Sequence, residues 1–380
     1  MEQLELLRNI IDETDEELIK LFEKRMETAK EIAEAKRASG RTVVDKKRER
    51  DIIARISGKV PPEMQSYART LYLTLFGLSR SYQNRFLKTT TDVSDKIKYA
   101  LKTTELQFPE NAVAACQGTE GAYSQIACDK LFKSANIMYF NSFDSVFGAV
   151  EKGLCRYGIL PIENSSYGSV TQVYDLMREH SFYIVRSIKL RVGHCLLAKP
   201  GCKKEDIKEI FSHEQAIGQC SRLIDGMKGV KVTAYANTAA AARKVAESDR
   251  NDVAAISSHE CAGIYGLNVL GYDVQDAEAN YTRFICISKN LEIYPGSDKI
   301  SIMLSLPHRP GSLFELMSDF SSLGLNLTKL ESRPMTGRDF EFMFYFDLDA
   351  SPYSDDVLSL LDELSLKTDL FTFLGSYSEK

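Results

Sequence analysis

The sequence predicts a multidomain chain: an all-α N-terminal segment, an α/β middle segment and a C-terminal βαββαβ unit. Three observations predict it. Apolar residues recur at spacings of three and four through the first ninety positions. From residue 112, short apolar runs alternate with helical stretches. From residue 299, strand, helix, two strands, helix and strand follow in turn. At 380 residues the chain is too long for one ordinary domain. The expected division is 1–90, a linker at 91–111, then 112–290 and 298–380.

The first helix is expected over 4–38, where Leu4, Leu7, Ile11, Leu18, Leu21 and Ile32 recur and neither glycine nor proline interrupts. "ASGRT" (38–42) ends it. A second helix is expected over Lys46–Ser57, stopped by "GKVPPE", and a third over Pro62–Leu87. The stretch 87–111 is polar and weakly patterned, with a short helix expected at Asp95–Leu101. Strands are then expected at "AVAACQG", "NIMYF", "RYGILPIEN", "HCLLAKP", "VKVTAY", "DVAAIS" and "RFICIS", with helices between them and largely parallel pairing. The last segment is expected to place strands at Lys299–Leu306, Leu325–Arg333, Phe340–Asp347 and Leu370–Tyr377, and helices at Leu313–Leu323 and Ser354–Leu364. That is the ferredoxin-like order.

Bulk properties narrow the function. A composition of 44% hydrophobic and 27% charged residues is globular, and a net charge of −5 argues against nucleic acid as the main partner. The eight cysteines are scattered singly without a CxxC, and the five histidines add no zinc-ligand spacing. No metal or organic cofactor is expected, and the thiols suit a reducing, cytoplasmic compartment. The start "MEQLELLRNIIDETDEELI" is acidic and amphipathic and is not expected to be a signal peptide; no apolar run is long enough to span a membrane.

The helical segment carries a set of charges on its apolar side. Arg25 and Lys36, eleven residues apart, share a face at about 16 Å and can converge on one small anion. Arg8 lies about 100° off that face and too far along the axis to join them within one chain. Asp45 and Glu49 stand at i,i+4 with Arg48 between them, and Ser79 and Gln83 repeat that spacing. Any single pair would serve as solvated surface charge. Together, Arg8, Arg25, Lys36, Asp45, Arg48, Glu49, Ser79 and Gln83 resemble the site of the all-helical chorismate mutases, over about residues 3–88. The resemblance implies a concerted rearrangement of a dicarboxylate that needs neither nucleophile nor proton transfer. It places Arg8 of a partner chain, Arg25 and Arg48 on carboxylates, and Lys36 and Gln83 at the ether oxygen. Asp45, Glu49 and Ser79 would hold the ring hydroxyl or the second carboxylate.

The middle segment offers "QGTEGAYS" (117–124), a plausible anion nest without GxGxxG or the Walker lysine. "GILPIENSSYGSV" (158–170) puts Glu163, Asn164 and Ser165 at a strand's C-terminal end, and "SHEQAIGQC" (212–220) puts Ser212 and Gln219 in the same topological position. "NYTRF" (280–284) opens a strand with Thr282 and Arg283 between two aromatic rings. Taken alone, it reads as a polar strand end leaving the core. Together these segments resemble prephenate dehydratase over about 112–288, which implies a two-subdomain α/β domain. The "QGTEGAYS" variant resembles plant arogenate dehydratases. The resemblance implies that Thr282 hydrogen-bonds the departing hydroxyl, with Glu163 as a proton source, and that Arg283 clamps a carboxylate. On a regular strand Thr282 and Arg283 point to opposite faces, so either a bend or contact by Thr282 alone is expected. Tyr281 and Phe284 are expected to exclude water.

"PHRPGSLFELM" (307–317) and "LESRP" (330–334) resemble the phenylalanine-binding elements of ACT regulatory domains. The resemblance implies an effector site made by Gly311, Ser312, Leu313, Glu331 and Ser332. The joint expectation is a bifunctional mutase–dehydratase that acts on chorismate and prephenate, takes phenylalanine as effector and forms a homodimer or larger homo-oligomer. An arogenate-preferring dehydratase, an enzyme with an inactive mutase, and a small-molecule binding protein with degenerate catalysis are the rivals.

Overall fold

The computed structural model describes residues 2–39, 45–87, 91–277, 279–335 and 341–380. The expected helix terminator at 40–42 and the expected strand start at Phe340 lie outside them. The chain forms two compact units, residues 1–98 with 302–373, and residues 99–301 with 374–380.

In the first unit, α1 (Glu2–Ser39) and α2 (Lys46–Ser57) pack against α3 (Gln65–Leu87). Only the second half of α1 is covered: Met26, Ala29 and Ala33 are buried, whereas Leu4, Leu7, Ile11, Leu18 and Leu21 stay exposed. A helix of 38 residues spans about 57 Å, more than α3 can cover. The weakly patterned stretch after α3 contains α4 (Asp92–Thr103), longer than expected.

The second unit holds two lobes. The first has β1 (Asn111–Gln117), α5 (Tyr123–Leu131), β2 (Ser134–Phe140), α6 (Phe143–Glu151), β3 (Tyr157–Asn164), β4 (Gly168–Ser169), α7 (Thr171–Leu176) and β5 (Tyr183–Arg191). The second lobe follows with β6 (Cys195–Ala198), β7 (Glu209–Ser212), α8 (Glu214–Gln219), α9 (Ser221–Asp225), β8 (Lys231–Ala234), α10 (Thr238–Glu247), β9 (Val253–Ser257), α11 (Glu260–Tyr265) and β10 (Asn268–Gly271). The chain then returns to the first lobe as β11 (Tyr281–Ser288). The sheet orders are β2-β1-β3-β11-β5 and β10-β6-β9-β7-β8. Pairing is mixed rather than largely parallel. β11 runs antiparallel to both its neighbours, and β6 runs antiparallel to β9 and β10. The cause is the double crossing between lobes, which brings β11 back against the direction of β3. Strands β5, β7 and β10 were not expected from the local pattern.

The last elements are β12 (Lys299–Ser305), α12 (Ser312–Ser322), β13 (Asn326–Pro334), β14 (Phe342–Asp349), α13 (Asp355–Lys367) and β15 (Phe371–Tyr377), with sheet order β13-β14-β12-β15. This is the expected βαββαβ succession. Ile302, Leu304, Phe320, Phe346 and Leu361 form its apolar interior.

Candidate active sites

The first cluster lies between the three N-terminal helices. Arg25, on the covered half of α1, donates to the Leu75 carbonyl at 3.0 Å and to the Ser79 hydroxyl. Ser79 in turn donates to the Leu75 carbonyl at 2.8 Å. Burial holds the Arg25 pKa below its ordinary value, with Tyr72 opposing; a guanidinium still stays charged. From α2, Glu49 accepts from Arg80 at 2.6 Å. Gln83 follows Arg80 by three residues and so shares its side of α3. Both are buried, and Gln83 Oε1 and Arg80 Nε have no hydrogen-bond partner among the described residues. An orphaned buried amide oxygen and guanidinium N–H are costly unless a ligand or water satisfies them.

The structure thus gathers Arg25, Glu49, Ser79 and Gln83, and Lys36 is half-buried on the same helix as Arg25. It does not gather the others. Arg8 and Arg48 are exposed, and Asp45 caps α2, its Oδ1 accepting from the Arg48 N–H at 3.0 Å. Arg80 was missed by the sequence reading. Its signal was present: an arginine three residues before Gln83 on an apolar helix.

The second cluster lies where the chain crosses between the lobes of the second unit. Thr282, at the start of β11, is directly opposite Asn164, at the end of β3. Asn164 Nδ2 donates to Thr282 Oγ1 and to Asn280 Oδ1, each at 2.9 Å. Asn280 Nδ2 donates to Gln219 Oε1 at 3.0 Å, and His194 Nε2 lies 2.8 Å from that same oxygen. Beyond it, the Tyr123 hydroxyl lies 3.3 Å from His194 Nδ1 and donates to the Gly193 carbonyl at 2.7 Å. Asn280 and His194 are 1% and 2% exposed, so these polar groups have little water to turn to. Burial holds the His194 pKa below its ordinary value, against the hydrogen bond to Gln219, and pushes the Tyr123 phenol well up. Neither His194 nor Tyr123 was singled out from sequence, because the meeting of the first crossing segment with the start of α5 is a tertiary fact.

The other expected residues are placed as follows. Ser165 clamps the β3–β11 end: its N–H donates to the Tyr281 carbonyl at 2.8 Å, and its hydroxyl accepts from the Tyr281 N–H at 2.9 Å. Ser212 is buried and donates to the Ile256 carbonyl at 2.6 Å. Glu163 is in register with Arg283, one step off the Thr282–Asn164 pair. The register shift falls after Arg283, between it and Phe284, so Thr282 and Arg283 do diverge. Arg283 turns to the last residues of the sequence: Nε is 2.9 Å from Glu379 Oε2, and Nη2 donates to the Tyr377 hydroxyl at 2.9 Å. Phe284 is buried in the lobe's interior, but Tyr281 is 44% exposed and closes nothing off. His213 is the N-cap of α8, accepting from the Gln215 N–H at 3.3 Å. In the βαββαβ unit, Gly311 adopts φ +90° at the start of α12, and the buried Ser312 hydroxyl has no partner among the described residues. Leu313 is half-buried, and so is Glu331, which lies 3.9 Å from Lys329; Ser332 is exposed. Among the described residues, no three His, Cys, Asp or Glu side chains gather as a metal site, and no helix is long and apolar enough to cross a membrane.

Comparison with known proteins gives both clusters a context. The family model for chorismate mutase type II matches residues 7–84, and the model for prephenate dehydratase matches residues 114–292. An arogenate dehydratase/prephenate dehydratase of Arabidopsis thaliana is 38% identical over 275 residues, covering 69% of this chain and 72% of its own. A crystal structure of prephenate dehydratase from Arthrobacter aurescens, in complex with L-Phe, superimposes with a TM-score of 0.64 at 30% identity, covering 70% of this chain and 89% of its own. The bifunctional chorismate mutase/prephenate dehydratase of Escherichia coli (strain K12) is 31% identical over 381 residues, covering 98% of this chain and 95% of its own. With both family segments present in one chain and that relative matched almost end to end, the chain belongs to the bifunctional chorismate mutase/prephenate dehydratase family.

Proposed function

We infer that this chain is a bifunctional enzyme that rearranges chorismate to prephenate and then decarboxylates and dehydrates prephenate to phenylpyruvate. One observation carries the reading: each family-matched segment holds its own buried polar cluster with hydrogen-bonding capacity the chain does not use. In the helical segment this is Gln83 Oε1 and Arg80 Nε. In the dehydratase segment it is the Thr282 hydroxyl, which accepts from Asn164 and donates to no acceptor among the described residues.

At the first site, Arg25, Arg80 and Lys36 supply positive charge to a dicarboxylate, with Arg48 and a partner chain's Arg8 reaching in from exposed positions. Gln83 and Lys36 face the ether oxygen, and Glu49 and Ser79 hold polar groups of the ring. Preorganised donors aimed at developing charge are enough for a concerted rearrangement. At the second site, Thr282 hydrogen-bonds the departing hydroxyl, while Asn164, Ser165 and Gln219 line the crossing between the lobes. Glu163 stands as the acid of the step only if the bound state brings it round from its register with Arg283. Phenylalanine acts as effector on the βαββαβ unit, a reading supported by the orphaned Ser312 hydroxyl beside Gly311 and by the L-Phe complex of the Arthrobacter relative. The exposed apolar half of α1 supports a homodimer. The eight buried, unpaired thiols support a cytoplasmic setting.

Mass balance tests the function. Purified protein supplied with chorismate should yield phenylpyruvate with no added cofactor. Accumulating prephenate would refute the dehydratase, and untouched chorismate alongside consumed prephenate would refute the mutase. The higher identity to the Arabidopsis relative favours a second reading for the second step, a preference for arogenate. A competition assay between prephenate and arogenate decides between them.

A further inference from the structure

The hydrogen bonds behind Thr282 have a direction, and two backbone groups set it. Asn164 Oδ1 accepts from the N–H of Ser166 at 2.9 Å and of Tyr167 at 3.1 Å. A backbone N–H can only donate, so that oxygen's position is fixed and Nδ2 must face the other way. Nδ2 therefore donates both its hydrogens, one to Thr282 Oγ1 and one to Asn280. The Asn280 atom that receives it must be Oδ1, so its Nδ2 must donate to Gln219 Oε1. With that oxygen turned inward, the His194 ring must present Nε2–H to it. Every amide and the imidazole tautomer then follow from the Ser166–Tyr167 turn. At the other end, Thr282 is an obligate acceptor from Asn164, and its own proton is left to point away from the cluster.

We propose that Asn280 and His194 are positioning residues for the dehydratase step: the turn sets which way Asn164 faces, and these two residues hold its amide in place behind Thr282, so that Thr282 presents its hydroxyl proton outward, toward the group that leaves. Asn280 Oδ1 takes the second hydrogen of Asn164 Nδ2, so the amide cannot tilt away from Thr282. His194 supports Asn280 through Gln219, whose Oε1 it holds in reach of Asn280 Nδ2. The two residues sit on the two segments where the chain passes between the lobes, 192–194 and 272–280. Those segments are tied directly as well: the Val192 N–H donates to the Asn280 carbonyl at 2.7 Å, and the Val274 N–H to the His194 carbonyl at 2.8 Å. Seating the directing groups on the crossing couples proton direction to the relative placement of the lobes. The inference rests on the reading of Thr282 as the hydroxyl that meets the departing group.

The test uses the full chain with prephenate as substrate and the mutase rate as an internal control. Asn280→Ala and His194→Ala should each lower dehydratase kcat about tenfold to a hundredfold, the scale of a small misplacement of a reacting group. KM should stay within about twofold, since orientation rather than ground-state binding is lost. His194→Gln, whose amide nitrogen reaches near the Nε2 position, should recover most of kcat; His194→Asn, which mimics Nδ1, should not. A double-mutant cycle then separates the levels. In a Thr282→Ala background, adding Asn280→Ala should cost nothing further, because its effect runs through Thr282. Unchanged kcat in both alanine variants, a His194→Gln enzyme as poor as His194→Ala, or additive losses in the cycle would each overturn the proposal while leaving Thr282 in its role. An unchanged Thr282→Ala enzyme would instead overturn the reading beneath it.

Discussion

Among single residues, Gln83 is the most exposed to test. Its Oε1 is buried with no partner among the described residues, on a helix where Ser79 and Arg80 Nη1 are engaged but Arg80 Nε is not. If its amide turns an N–H toward the charge developing on the ether oxygen, Gln83→Ala should lower mutase kcat by about two to three orders of magnitude, the usual effect of one such donor. Lys36→Ala should do likewise, and dehydratase turnover on supplied prephenate should be unaffected in both. Parallel loss of both activities with loss of helicity would make these residues structural. The residue scale also shows where sequence reasoning stops. Arg25, Glu49, Ser79 and Gln83 were singled out because their joint spacing over three expected helices resembles that of the all-helical chorismate mutases. Arg283 was legible as unusual but not as to its partners: Glu379 and Tyr377 lie more than ninety positions away and meet it only in the fold.

Elements were legible where local pattern and tertiary environment agree. The helices α1, α2 and α3 and the βαββαβ succession follow from period alone. The strand β5 did not, because Arg186, Ser187 and Lys189 interrupt its apolar run; the fold engages each of them from elsewhere, although Arg186 Nε has no hydrogen-bond partner among the described residues. Arg186 lies over the Phe108 ring at 4.3 Å, Ser187 donates to Glu379 at 3.3 Å, and Lys189 pairs with Glu379 at 2.8 Å. Strand β7 begins with Glu209, a poor strand signal, yet its carboxylate is met by Thr233 at 2.7 Å and Arg250 at 2.5 Å. The same element packing supports a stability prediction. Gly375, near the end of β15, has φ +144°, and a Cβ there would lie 2.2 Å from the Ile184 carbonyl oxygen of β5. Gly375→Ala should destabilise the protein by about 1–3 kcal/mol or more, read as a lower midpoint in denaturant. A second prediction concerns His180, which follows α7 and bridges two carboxylates of α6, Asp144 and Glu151, each at 3.0 Å. Burial opposes its charge, but the two carboxylates outweigh burial and raise its pKa. A pKa raised on folding stabilises below the unfolded value and is lost as pH rises through the folded one. Between about pH 6 and pH 8.5 the thermal midpoint should therefore fall more in the wild type than in His180→Gln. Equal slopes would mean that the bridge is not charged in the folded state.

For the whole molecule, the question is what the βαββαβ unit adds to the two candidate sites. Its strand β13 is at the edge of the sheet, and its residues alternate between half-buried and exposed with none fully buried. An open edge of this kind is a ready surface for a second copy. Beside it in sequence, α12 begins at Gly311 with positive φ and open space where a side chain would stand, so a ligand can approach the helix start. The next hydroxyl, Ser312, is buried with no partner among the described residues. A small ligand carrying a carboxylate would satisfy both, and Glu331 on β13 offers a counter-charge for its ammonium. Phenylalanine fits that demand, with Leu313 and the exposed Phe314 beside its ring. Inhibition then requires phenylalanine to bind a less active arrangement more tightly than the active one, with a coupling of about 1–3 kcal/mol. The expected outcome is a dehydratase rate that falls with phenylalanine concentration and hardly responds to tyrosine. Gly311→Val, which puts a branched side chain where φ is positive, should weaken inhibition while leaving uninhibited turnover unchanged. Ser332→Ala should weaken it less, since Ser332 is exposed on the edge strand rather than buried beside the helix start. A flat wild-type curve, with no heat of phenylalanine binding in calorimetry, would leave the unit as an assembly module and return the Ser312 hydroxyl to the status of an unexplained buried group.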